Sequence, residues 1–148
     1  MDVYRITLAK WAESLTGSGY PARWNPKGYH VIYSAGSRAL ACLENLVHRS
    51  GEGLNAGFKI ASIHVSDSVS ADEVLLDSLP PGWHSVEGYQ ICQELGSKWL
   101  EEQRSCTPKV PSSIIQDEWN LLINPAHPDF GQISIRSVRD FSFDQRLQ

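Results

Sequence analysis

The chain has 148 residues, of which 41% are hydrophobic, with a formal net charge of −4 and a pI of about 5.7. This length suits a single domain over residues 1–148, and a chain this acidic is a poor candidate for binding nucleic acid by itself. The N-terminus lacks the basic segment and apolar run of a signal peptide, and no stretch reaches the ~18 apolar residues of a membrane span. We therefore expect a cytoplasmic protein.

Several common functional motifs are missing from the sequence. The three cysteines, Cys42, Cys92 and Cys106, contain no CxxC pair, and the five histidines lack metal-ligand spacing. We therefore expect reduced thiols and no metal site. The nucleotide-binding patterns GxGxxG and GxxxxGK[ST] are absent, as are HExxH and GxSxG.

The first half of the chain predicts two strands and a helix. Residues 3–8 and the short apolar run 31–33 are typical of strands, and the glycine- and proline-rich segment 17–21 is typical of a loop. Ser37 is a candidate N-cap for a helix over 39–48. At ~100° per residue the apolar side chains of this helix share one broad face, and Glu44 falls at its edge.

The second half continues the mixture of strands and helices. Taken together, the elements of both halves predict an α+β domain with a compact mixed β-sheet core and flanking helices, rather than a doubly wound fold. The predicted elements are strands over 58–65, 119–123 and 133–141, a turn over 78–82, a helix over 89–102, an extended segment over 110–113 and a connection over 124–128.

Three polar residues are candidates for function before any family is considered. Arg23 lies beside Trp24 in a loop, Tyr33 ends a short strand, and Glu44 lies at the edge of an apolar helix face. Each has an ordinary structural explanation: a surface cation–π pair, a core tyrosine and a solvated glutamate. Taken singly, none of the three indicates a functional site.

Taken together, these residues lie in segments that resemble the RES-domain family, which is named for its arginine, glutamate and serine. The resemblance covers residues 22–28, 31–35 and 40–48. The family pattern is a GRWN-like loop, a strand that ends in tyrosine and a helix that ends in LE-x-LVH. Ala22 stands where the family usually has glycine, which is a mild departure.

The resemblance extends over nearly the whole chain. Family members carry a PS-[AS] step, then an asparagine, then an INP-x-HP-x-[FY] tail, in that order. The matching segments here are 110–114, 118–120 and 122–130, with further similarity at 4–6 and 143–147.

The resemblance implies a fold like that of ADP-ribosyltransferases of the diphtheria-toxin type. It implies the toxin of a bacterial type II toxin–antitoxin system, paired with an Xre-type helix-turn-helix antitoxin and touching nucleic acid only through that partner. Such toxins deplete NAD⁺ by hydrolysis or phosphorolysis of the nicotinamide–ribose bond, with no cofactor beyond NAD⁺ as substrate. The alternatives are a mono-ADP-ribosyltransferase that modifies a protein target and a non-enzymatic interaction domain.

The resemblance also implies roles for particular residues. Glu44 would stabilise the positive charge that develops on the ribose. Arg23, or as a second candidate Arg5, would grip the diphosphate of NAD⁺. Tyr33 offers a flat face to the cationic nicotinamide ring. Arg23, Glu44 and a serine form the expected catalytic set.

The serine and the asparagines are less sharply assigned. Ser112 would bind phosphate or ribose or orient a nucleophile, but no base is evident beside it, and Ser113 is an adjacent alternative. Asn120 is a candidate ligand-binding residue. Asn120 and Asn124 have an equally good explanation as loop-holding residues that bond to backbone groups.

Overall fold

The computed structural model describes residues 1–48, 53 and 56–147. Within them the chain forms one seven-stranded sheet and two α-helices, joined by loops and short 3₁₀ turns. The elements are β1 (Asp2–Leu8), β2 (Ile32–Ala35), α1 (Arg38–His48), β3 (Phe58–Val65), β4 (Ala71–Glu73), α2 (Tyr89–Glu102), β5 (Thr107–Pro111), β6 (Trp119–Ile123) and β7 (Ile133–Phe141).

The sheet is mixed, with the strand order β4-β5-β6-β2-β1-β3-β7. Strands β4 and β5 run parallel, and the other neighbours pair antiparallel. In the middle of the sheet Tyr4 of β1 stands opposite Ala35 of β2, which stands opposite Asn120 of β6. Directly paired residues share a face of the sheet, so this row lies on one side of three central strands.

Each helix covers its own part of the hydrophobic core. Leu40 and Ala41 of α1 pack in a cluster with Ile6 and Ile60. Cys92 and Trp99 of α2 pack in a second cluster with Trp24, Trp83 and Leu122. The two helices therefore lie over different strands.

Local interactions fix both helices. The hydroxyl of Ser37 accepts a hydrogen bond from the amide of Leu40 at 3.1 Å, which confirms Ser37 as the N-cap of α1. On α2, a Cβ at Gly96 would lie 1.6 Å from the carbonyl oxygen of Trp24. The absence of a side chain therefore lets α2 approach the loop that carries Arg23.

The predicted α+β class with a compact mixed sheet and flanking helices is confirmed, and α2 spans the residues expected for it. The strand predicted over 31–33 is shifted, because pairing with β6 runs from Ile32 to Ala35. The extended segment predicted over 110–113 begins earlier and ends at Pro111. Strand β4 was not predicted, since its three residues are all exposed and lack an apolar pattern.

Candidate active site

A cavity of about 540 Å³ lies between α1, the central strands and the loop that contains Arg23. This volume is within the ~300–1,000 Å³ range of small-molecule sites. Five of the residues proposed from the sequence line it: Arg5, Arg23, Tyr33, Glu44 and Asn120. The fold thus gathers side chains that are up to 115 residues apart along the chain, from Arg5 to Asn120 (120 − 5).

Glu44 is held in place by three neighbours. Its Oε1 accepts hydrogen bonds from Asn120 Nδ2 at 2.7 Å and from Ser112 Oγ at 2.9 Å. Its Oε2 lies 3.2 Å from His48 Nε2, one helical turn further along α1, and the Glu44 side chain is only 19% exposed. Such a network fixes the orientation of the carboxylate within the cavity wall.

The same network keeps Glu44 ionised. Burial raises the pKa of this carboxyl, but hydrogen bonds from His48, Asn120 and Ser112 lower it by more, so the pKa lies below its ordinary value. Glu44 is therefore a negative charge at neutral pH, as a group that stabilises a nearby cation must be.

Ser112 bonds to Glu44 and is not part of the cavity lining. Its side chain is 0% exposed, and its hydroxyl donates to Glu44 while accepting from the amides of Ile114 and Ile115 at 3.1 and 3.2 Å. Direct contact between Ser112 and a ligand, as expected from the sequence, disagrees with this burial. Of the two serines it is Ser113 that lines the cavity.

The two asparagines differ in their surroundings. Asn120 lines the cavity and donates to Glu44, while its Oδ1 is buried without a hydrogen-bond partner. Asn124 is buried, and its Oδ1 accepts from the amide of Ala126 at 3.0 Å. Asn124 is therefore placed to hold the loop after β6, whereas Asn120 is placed to orient Glu44.

The guanidinium of Arg23 forms hydrogen bonds within the protein through both terminal nitrogens. Its Nη1 donates to the carbonyls of Trp83 at 2.7 Å and Ser85 at 3.2 Å, and its Nη2 donates to the carbonyl of His84 at 3.0 Å. The guanidinium also lies 4.4 Å from the ring centre of Tyr89, and the residue is 8% exposed. A bidentate grip on diphosphate would require these bonds to be exchanged, because both terminal nitrogens are in use.

Arg5 is less tightly bound. Its Nη1 and Nη2 donate to the carbonyls of Ser14 and Thr16 at 3.4 and 3.3 Å, which are long hydrogen bonds. Burial lowers the pKa of its guanidinium, which stays charged at neutral pH because an arginine titrates far above it. Arg5 is the better placed of the two arginines to exchange its partners for phosphate oxygens.

Tyr33 joins the cavity to the loop that precedes β2. Its hydroxyl donates to Asn25 Oδ1 at 2.5 Å and accepts from the amide of Trp24 at 3.1 Å. Burial raises the pKa of this phenol well above its ordinary value, so it stays neutral. The fixed hydroxyl leaves the ring as the part of Tyr33 available to a ligand.

Three residues of the site were missed from the sequence. His48 lies within reach of Glu44, and its i,i+4 spacing on a helix was a signal that could have found it. Asn25 is 2% exposed, and its Nδ2 donates to the carbonyls of Tyr20, Pro26 and Tyr29. Tyr89 lines the cavity because of the way α2 packs, and no sequence pattern indicates that packing.

The described residues show no metal cluster of three or more histidine, cysteine, aspartate or glutamate side chains. Nor does this part of the chain contain a helix long and apolar enough to cross a membrane. The cavity is defined instead by one ionised carboxylate, two arginines and aromatic rings. This combination suits a ligand that carries both an anionic group and a centre able to become cationic.

Comparison with known proteins agrees with this description. The family model of the RES domain matches residues 2–144, and the chain belongs to the RES domain family. The chain is 41% identical to the "Prs ADP-ribosylating toxin" of Sphingobium sp. (strain YBL2), over 92% of this chain and 88% of that protein. It is 37% identical to "Toxin Res" of Yersinia enterocolitica, over the full length of both.

A solved structure shares the fold. The chain superimposes with a TM-score of 0.74 on a chain from the crystal structure of the M. tuberculosis MbcT–MbcA toxin–antitoxin complex. The match covers 95% of this chain and 84% of that chain at 21% sequence identity. The two chains therefore share one fold.

Proposed function

We propose that this protein is the toxin of a bacterial toxin–antitoxin pair and consumes NAD⁺ by cleaving its nicotinamide–ribose bond. The observation that carries the proposal is the ionised carboxylate of Glu44, fixed by Ser112, Asn120 and His48 in the wall of the cavity. A held anion in a partly desolvated site is what an oxocarbenium-like transition state requires.

In the proposed reaction the bond from the ribose C1 to the nicotinamide nitrogen breaks. The electron pair leaves with nicotinamide, which becomes neutral, and positive charge develops on the ribose. Glu44 stabilises this charge, and an oxygen of water or phosphate then bonds to C1. With water as the acceptor, one proton is released to solvent.

The arginines take different parts in this proposal. Arg5 binds the diphosphate, because its long hydrogen bonds are easily exchanged. Arg23 supports the wall of the cavity by its hydrogen bonds to the carbonyls of residues 83–85. It also lines the cavity, where it contacts the ligand. Tyr33 contacts the nicotinamide ring while that ring is still cationic.

The partner in this proposal is an Xre-type antitoxin that carries a helix-turn-helix. Support comes from the structural neighbour, whose structure is of a toxin–antitoxin complex. DNA would be contacted by the antitoxin, since this chain has a net charge of −4. Co-expression of the neighbouring reading frame, followed by co-purification and rescue of growth, tests the pairing.

A second candidate function is mono-ADP-ribosylation of a protein. It is favoured by the 41% identity to the Sphingobium relative, which is named an ADP-ribosylating toxin. The same bond of NAD⁺ breaks in both reactions, and the acceptor differs. Transfer to a protein would leave label from adenine-labelled NAD⁺ on a macromolecule and would consume little NAD⁺ without the target.

The test is the NAD⁺ concentration over time with purified protein, with and without phosphate, beside the Glu44→Gln variant. Glutamine keeps the size of the side chain and removes its charge. Loss of NAD⁺ with the parent and a rate at least about 100-fold lower with the variant supports the proposal, and the effect of phosphate identifies the acceptor. No loss of NAD⁺ in either buffer, with labelling of a target protein, would replace it with the second candidate.

A further inference from the structure

A smaller side cavity of about 180 Å³ adjoins the main one. Arg5, Pro21, Ala22 and Tyr33 line both cavities, so the two share a wall. Arg5 and Tyr33 are therefore within reach of a ligand that extends from one cavity into the other. The proposed substrate is long enough to do so, because it is a dinucleotide.

The outer side of the side cavity is formed by the loop over residues 18–22. Tyr20 belongs to this lining and is 77% exposed, although it is a large aromatic residue. An aromatic side chain held in water at the edge of a cavity has no role in the core. It offers a flat surface on which another ring can stack.

The backbone of Tyr20 is held firmly despite this exposure. Its carbonyl accepts from the buried amide of Asn25 at 2.9 Å, and its own amide donates to Ser18 Oγ at 3.2 Å. The preceding residue, Gly19, adopts a φ of 77° and its carbonyl accepts from the amide of Gly28 at 2.9 Å. The loop is therefore ordered before any ligand arrives, which lowers the entropy cost of binding.

We infer that the side cavity is the adenine subsite, with the purine stacked on Tyr20, and this inference rests on the proposed function. The side cavity has about a third of the volume of the main one, and the apolar residues Pro21, Ala22 and Val31 line it together with Ser18. Arg5 stands at the junction of the two cavities, where the diphosphate between the two nucleosides would pass.

The experiment compares two ligands that share the cleaved bond. NAD⁺ contains adenosine, whereas nicotinamide mononucleotide lacks it. Their dissociation constants are measured by calorimetry for the Glu44→Gln protein, in which turnover is suppressed, with and without Tyr20→Ala. Stacking contributes ~1–3 kcal/mol per base, so Tyr20→Ala should weaken NAD⁺ binding by about 5- to 150-fold relative to the mononucleotide.

Tyr29→Ala in the same background is the matched control. Tyr29 lies in the same loop region but outside the lining of both cavities, and its hydroxyl donates to Glu101 at 2.7 Å. Tyr29→Ala should leave the ratio of the two dissociation constants unchanged. Tyr20→Phe, which keeps the aromatic ring, should leave the dissociation constant of NAD⁺ unchanged. An equal effect of Tyr20→Ala on both ligands would overturn the adenine subsite. Failure of the proposed function is distinguished by the absence of NAD⁺ turnover in the parent protein.

Discussion

At the scale of single residues, the serine that the sequence singled out, Ser112, donates its hydroxyl to the carboxylate of Glu44. Ser112→Ala removes one hydrogen bond to the Glu44 carboxylate. The pKa of Glu44 should rise, because that bond favours the ionised form. A ¹³C NMR titration of the Glu44 side-chain carboxyl measures this directly, and the acid limb of any pH–activity profile should shift to higher pH with it.

The control for that titration is the neighbouring serine. Ser113→Ala changes a residue that lines the cavity, whereas the groups that bond to Glu44 belong to Ser112, Asn120 and His48, so the pKa of Glu44 should stay unchanged. The lowered pKa of Glu44 also makes the free energy of unfolding depend on pH. Because the pKa of Glu44 is lowered by folding, its contribution is present above the unfolded-state pKa and is lost as the pH falls through the folded-state pKa. An unchanged Glu44 titration in Ser112→Ala would contradict the assigned role.

Arg23 leads to a second prediction at this scale. Lysine cannot reproduce a fork that reaches three consecutive carbonyls, so Arg23→Lys should destabilise the protein by at least about 2 kcal/mol. Amide hydrogen exchange over residues 83–89 should speed up at the same time. Arg38→Lys is the control, since Arg38 is exposed and lies over Tyr4 at 4.3 Å. Equal stability losses in the two variants by urea unfolding would refute the bracing role.

At the scale of elements, the approach of α2 to the Arg23 loop depends on one glycine. A Cβ at Gly96 would meet the backbone oxygen of Trp24 at 1.6 Å, which a side-chain movement cannot relieve. Gly96→Ala should therefore cost about 1–3 kcal/mol or more in the free energy of unfolding and should displace the loop that lines the cavity. Gly131→Ala, where a Cβ meets nothing within 4 Å, should cost far less. Denaturant titration of both variants provides the comparison.

The elements also show how far sequence patterns reach. Helix α2 and strands β3 and β7 span the residues predicted for them, because the patterns that predicted them are local to each segment. Strand β4 was missed because it is held by pairing with β5 and not by its own composition. The shift of β2 by one residue at its start has the same cause, since its partner β6 decides where pairing begins.

At the scale of the whole molecule, a ligand that binds only the folded state should stabilise it. Under the proposed function, ADP-ribose at 100 times its dissociation constant would add ~2.7 kcal/mol. For a domain of this size that corresponds to a rise in Tm of about 5 to 10 °C. Differential scanning calorimetry of the parent with ADP-ribose, beside ribose alone, is the measurement. No shift at the highest soluble concentration of ADP-ribose would argue against the nucleotide site.

The sequence by itself determined the class of fold, the family and the set of polar residues from which the site is built. These depend on local periodicity and on motifs that are contiguous in the chain, such as the segment around Arg23 and the helix that carries Glu44. The sequence motifs identified Arg5, Tyr33 and Asn120 as candidate site residues but did not show how these side chains are arranged in space.

Only the tertiary structure decided which groups each of those residues contacts. Ser112 was expected to touch a ligand, but folding buries it beneath Glu44, and Ser113 takes the place at the cavity wall. Arg23 was expected to grip phosphate, but folding brings the carbonyls of residues 83–85 to its guanidinium. The physical reason is that hydrogen-bond partners are chosen by proximity in space, and these partners lie about 60 residues or more away along the chain.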